Sequence, residues 1–143
     1  MKDLIVNNAF AISMVLAFIS LTVSGFLIAY VKGKSKGNDR MKEIASTIEE
    51  GAKAYLQRQI ITISIIACFL FFLLMRFYGL NTSIGFLIGA FCSLSAGYLG
   101  MRVAVMSNVR TTNAASSVEN FALRVAFNGG AVTGLLVIGL SLL

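Results

Sequence analysis

From Leu4 to Val31 the chain carries no charged side chain, and three more uncharged apolar runs follow: Ile60 to Met75, Ile84 to Met101 and Ala126 to Leu143. The first, roughly 28 residues, is long enough to cross a hydrocarbon core of about 30 Å with tilt or overhang. A secretory signal has an apolar region of only about 7–15 residues and a small-x-small cleavage site, so this run reads as a membrane helix. Arg58 and Arg76 bracket the shortest run, where both can snorkel while Phe77 and Tyr78 occupy the interface. Helical extension of these runs predicts spans at about 4–31, 57–76, 84–109 and 125–143. The fold class is all-α, a polytopic transmembrane helix bundle with four membrane helices.

Composition agrees: 57% of residues are hydrophobic and 13% charged, about half the charge of an ordinary soluble domain. A net charge of +6 points to nucleic acid only in a soluble protein. Here the cations lie between apolar runs and set orientation instead. Lys32, Lys34, Lys36, Arg40, Lys42, Lys53 and Arg58 crowd the first long connection, and Arg102, Arg110 and Arg124 the last. The turn between spans two and three holds only Arg76, and the N-terminus only Lys2 beside Asp3. Positive-inside then puts loops of about 32–59 and 102–124 in the cytoplasm and both termini outside, in a multi-pass cell-membrane protein.

The first loop has its own pattern. Gly33, Gly37 and Asn38 break the chain, with Asn38 or Asp39 as N-cap. Met41, Ile44, Ala45, Ile48, Ala52, Tyr55 and Leu56 then recur on one face of an amphipathic helix over about 38–56. With no breaker before Ile60, this helix is expected to run into the second span. Its polar face carries both charge signs, which favours packing on neighbouring helices over lying on the membrane. Gly85, Gly89, Ser93 and Gly97, and likewise Ala126, Gly130 and Gly134, are four apart. Such stripes let another backbone approach closely in lipid.

The chemistry is sparse. Histidine, the commonest general base and transition-metal ligand, is absent. The acids Asp3, Asp39, Glu43, Glu49, Glu50 and Glu119 all lie outside the spans. A small four-helix multidrug exporter needs a carboxylate in its first span, and this one has none. Glu43, Glu49 and Glu50 share a helix with Lys42 and Lys53, so a solvated, ion-paired face is favoured over a magnesium site. Asn108, Arg110, Thr111 and Thr112 read as a helix-end surface, with anion binding the sharper alternative. Gly129-Gly130 reads as helix packing rather than a phosphate cradle. Cys68 and Cys92, mid-way along apolar runs, read as small buried residues rather than a disulfide or metal pair.

Four segments taken together, GAKAYLQRQ (51–59), GAFCSLSAGYLGM (89–101), NVRTTNAA (108–115) and ALRVAFNGGAVTG (122–134), resemble the N-terminal part of the membrane-bound inorganic pyrophosphatases, the pyrophosphate-driven proton and sodium pumps. Each is a weak motif alone. Their order and their placement relative to the spans carry the resemblance, which covers the chain from about Glu43 onward. Ser107 and Asn128 depart from it, where a smaller and a more basic residue are expected.

The resemblance implies a homodimer of roughly 16 helices per chain, with this chain as four outer-ring helices bracing an inner ring. It also implies a pyrophosphate site of Asp, Lys and Mg2+ built by later helices, with a signature such as DVGADLVGKVE that does not occur here. The residues choosing proton or sodium, and those setting potassium dependence, would also lie in later helices. No catalytic, substrate-binding or metal residue is therefore assigned in this chain. Its partners would be the lipid bilayer and the remaining helices of the pump, with no nucleic acid.

The last span runs to Leu143 without a polar flank, so an incomplete pump, inactive alone and loosely packed as a monomer, is the leading expectation. The alternative is a self-contained four-helix scaffold or assembly protein without catalysis. A channel is disfavoured because no span presents a polar face.

Overall fold

The structure, a computed structural model, describes residues 2–116 and 119–143, with side chains described for residues 8–116 and 121–143. The charges of Lys2 and Asp3, used above for orientation, and that of Glu119 lie outside the described side chains.

Four helices account for nearly all of the described chain: α1 (Lys2–Lys32), α2 (Asp39–Tyr78), α3 (Leu80–Ala115) and α4 (Glu119–Leu142). Each is long and apolar enough to cross a membrane, and there is no strand among the described residues. In lipid no water can satisfy a free backbone group, so uncharged runs of this length must form helices. Hydroxyls inside the runs are hidden in the same way: Ser13, Thr22, Ser95 and Ser141 each donate to the carbonyl four residues back, at 2.6–2.9 Å. Ser24 is fully buried with its hydroxyl unpartnered.

The amphipathic segment and the second span are one continuous helix of 40 residues, about 60 Å at 1.5 Å per residue. Asn38 caps it, its Oδ1 accepting from the Met41 N–H at 2.9 Å. Gly37 precedes the cap with φ +80°, and a Cβ there would run into Met41 Sδ and come within 2.9 Å of Asn113 Oδ1. Gly79 alone joins α2 to α3; its φ of 84° and ψ of 172° form a corner open to glycine. The stretch 102–124, expected as a loop, is instead mostly helix: α3 continues to Ala115 and α4 begins at Glu119. Thr111, Thr112, Asn113 and Ala114 lack an apolar period but contain no breaker.

The helices stand in an open row rather than a closed bundle. α2 packs on α3, α3 on α4 and α4 on α1; α1 touches α3 only slightly and does not reach α2. Val103, Val132 and Leu136 form the core where α3 and α4 meet, with Leu21, Leu27, Ile28 and Met106 packed around it. Ala114, Ala122 and Val125 form a second cluster near the α3–α4 link. Leu56 is the one residue of α2 that is buried, so its apolar span faces outward almost entirely.

The small-residue stripes do not make these contacts. A Cβ added at Gly85, Gly89, Gly97, Gly130 or Gly134 would meet nothing within 4 Å. α3 and α4 meet one register over: a Cβ on Gly129 would lie 2.5 Å from Ser107 Oγ, and one on Gly100 would lie 2.9 Å from Thr133 Cγ2. Gly139 in turn accepts Leu21 of α1.

Candidate functional site

Polar chemistry gathers where α1 ends, α2 begins, α3 ends and α4 begins. Its centre is Arg110, on the face of α3 that also buries Val103, Ser107 and Ala114. Its Nε donates to the Lys34 carbonyl at 3.2 Å; its terminal nitrogens donate to the carbonyls of Met106 at 2.8 Å and Lys32 at 3.5 Å. The last carbonyls of a helix have no partner within it and carry partial negative charge. The planar guanidinium reaches the last carbonyl of α1, Lys32, and that of Lys34 just beyond it at once. Arg110 is thus a C-terminal clamp for α1 supplied from another helix.

For Asn108, Arg110, Thr111 and Thr112 this geometry favours the helix-end surface over the anion-binding alternative. The guanidinium is spent on carbonyls, Thr112 donates to the Asn108 carbonyl at 3.0 Å, and Asn108 is exposed. Nearby, the Lys34 ammonium sits 4.2 Å from the Tyr30 ring centre and 5.1 Å from that of Phe121, tying the end of α1 to α4.

Three of the four acids of α2 are exposed and ion-paired. Glu43 pairs with Arg40 at 3.0 Å, Asp39 with Lys42 at 2.9 Å and Glu49 with Lys53 at 3.0 Å. The Lys42 hydrogen bond and charge lower the pKa of Asp39. Lys53 does the same for Glu49, with smaller contributions from Arg102 and Lys36. Among the described residues no three metal-ligating side chains converge. Gly129 packs on Ser107 and Gly130 faces outward, which leaves no phosphate cradle. The cysteines are corrected too: Cys68 is exposed and Cys92 half-buried, because their helix faces are those the row leaves uncovered.

One feature was not legible beforehand. α1 and α2 do not touch each other, and a groove of about 790 Å³ lies between them, with α3 as its third wall. Lys32, Lys36, Lys42, Lys53, Arg102 and Arg110 line it with a single acid, Glu49. Its residues come from three helices and the link between α1 and α2, so no contiguous motif announces it; the one sequence signal is the cation excess in both loop segments.

Residues 18–143 match the family described as "Inorganic H+ pyrophosphatase". A K(+)-insensitive pyrophosphate-energized proton pump of Methanosarcina mazei is 48% identical over 127 residues, which is 87% of this chain and 19% of that protein. A pump of the same description from Caldanaerobacter subterraneus subsp. tengcongensis is 39% identical over 143 residues, 90% of this chain and 20% of its own. A putative K(+)-stimulated pyrophosphate-energized sodium pump of Clostridium tetani is 38% identical over 129 residues, 90% and 19% respectively. The chain spans about a fifth of the length of the curated relatives it matches.

Proposed function

This chain belongs to the inorganic H+ pyrophosphatase family, and from that premise we propose that it forms the N-terminal outer-ring part of an ion-translocating pyrophosphatase. The assembled pump would couple hydrolysis of magnesium pyrophosphate to movement of protons or sodium ions. It would be a homodimer in the cell membrane, with the Arg110 end of the four helices in the cytoplasm.

The role of these helices in that machine is mechanical. The observation that carries the reading is that the stripes Gly85–Gly89–Ser93–Gly97 and Ala126–Gly130–Gly134 are exposed and unpartnered within the chain. Small residues at that spacing suit close backbone approach in lipid. Further helices of the same pump would pack there, and α1, held by Arg110 and α4, would brace the row from behind. The described acids lie on a solvated face, so the magnesium-dependent chemistry would reside in the rest of the pump.

Co-expression tests this. The 143-residue chain alone should hydrolyse no magnesium pyrophosphate, and adding the remaining helices of a related pump should restore hydrolysis and ion uptake in vesicles. Gly89→Leu or Gly130→Leu should then abolish the restored activity while leaving the four-helix unit folded. Full activity in both variants would refute the brace, and hydrolysis by the chain alone would refute the division of labour.

A further inference from the structure

Each of the three helices around the groove repeats one arrangement. Lys32 of α1 stands one turn from Ile28, Lys53 of α2 one turn from Leu56, and Arg102 of α3 one turn from Leu99, and all six side chains line the groove. In every pair the apolar residue is the one nearer the uncharged run of its helix. Within each pair the cation thus lies one turn, about 5 Å, nearer the end of its apolar run than its apolar neighbour. Lys53 is paired with Glu49, whereas Lys32, Lys36 and Arg102 have no ion-pair partner among the described residues. Arg102 lies with its guanidinium carbon 5.8 Å from the Tyr98 ring centre, at the groove's edge.

We propose that this groove binds one anionic phospholipid, its head-group phosphate held by Lys32, Lys36 and Arg102 and an acyl chain lying along Ile28, Leu56 and Leu99. Charge complementarity selects the head group, since basic pockets between membrane helices are suited to anionic lipid heads. The apolar residues select a lipid over a free phosphate, which would leave them unused. A volume of about 790 Å³ accommodates a glycerophosphate head and the upper acyl carbons. A lipid seated there would bridge α1 and α2, which do not otherwise meet. The proposal needs only the groove and the membrane, so it stands or falls separately from the pump reading.

The test uses the full 143-residue chain in nanodiscs of phosphatidylcholine with one-tenth phosphatidylglycerol, followed by native mass spectrometry as lipid is stripped. One phosphatidylglycerol per chain should persist after phosphatidylcholine is lost. Lys36→Gln with Arg102→Gln should weaken retention about 25-fold, roughly fivefold for each cation removed. Lys36→Arg with Arg102→Lys should keep it, and Arg76→Gln at the far end of α2 should not change it. Equal retention of both lipids overturns the proposal, as does displacement of phosphatidylglycerol by millimolar inorganic phosphate. A chain that leaves the membrane as a dimer carrying no lipid also overturns it. Should the double variant fail to fold by circular dichroism, the wild-type lipid preference and the phosphate competition decide the matter.

Discussion

Arg110 and Lys34 are 76 residues apart in sequence, yet the Arg110 Nε donates to the Lys34 carbonyl at 3.2 Å. That bond, with the one to Lys32, fastens the end of α1 to α3 in a row where these two helices otherwise barely touch.

Arg110→Ala removes hydrogen bonds from a charged donor to otherwise unpartnered carbonyls, and should destabilise the folded chain by about 2–3 kcal/mol. Arg110→Lys keeps the charge but not the fork, and should recover only part of the loss. Unfolding in mixed micelles measures both. Amide exchange at Gly33 and Lys34, whose N–H groups close the last turn of α1, should speed up in the same order. Wild-type exchange in Arg110→Ala would show that the clamp carries no load.

Gly129 and Gly130 are adjacent in sequence but face different surroundings. Gly129→Ala would put a methyl group 2.5 Å from Ser107 Oγ, and should cost about 1–3 kcal/mol as α3 and α4 are forced apart. Gly130→Ala meets nothing within the chain and should be neutral or slightly stabilising in the isolated four-helix unit, since alanine favours helix. Ser107→Gly should relieve much of the Gly129→Ala penalty, a coupling that a double-mutant cycle reads directly.

Gly37→Ala meets two obstacles, a φ of +80° and no room beside Met41 and Asn113. The backbone strain alone is about 1–2 kcal/mol, and the overlap adds to it. The expected result is a lower unfolding midpoint with the amphipathic part of α2 loosened from α3, seen as faster exchange over residues 41–48 than over 61–75.

The Glu49–Lys53 pair has a small, signed pH dependence. Because Lys53 lowers the Glu49 pKa, its stabilisation is present above the ordinary glutamate range and is lost as pH falls through the lowered value. The pair is solvent-exposed, so screening keeps the effect small. Glu49→Gln should therefore leave the unfolding midpoint nearly unchanged at neutral pH and flatten its fall in acid; an unaltered acid limb would contradict this.

Much was legible in the residues themselves. Four uncharged runs dictate four helices, because lipid allows no other way to satisfy the backbone over such lengths. Gly33, Gly37 and Asn38 mark the first turn, and the lack of a breaker between Met41 and Ile60 makes α2 continuous. The segments around Gly89, Asn108 and Ala122 carry the family. What these residues leave open is which face of each helix turns inward. In water a polar side separates inside from outside; in lipid both sides are apolar, and small residues occupy two neighbouring registers of α3 and of α4. Only packing chose Gly129 over Gly130 and Gly100 over Gly97, through the fit to Ser107 and Thr133. Arg110 was visible as a cation at a helix end, but its task depends on carbonyls 76 and 78 residues away. The basic groove exists because α1 and α2 both approach α3 without meeting each other, a relation among three helices that no single stretch of sequence encodes.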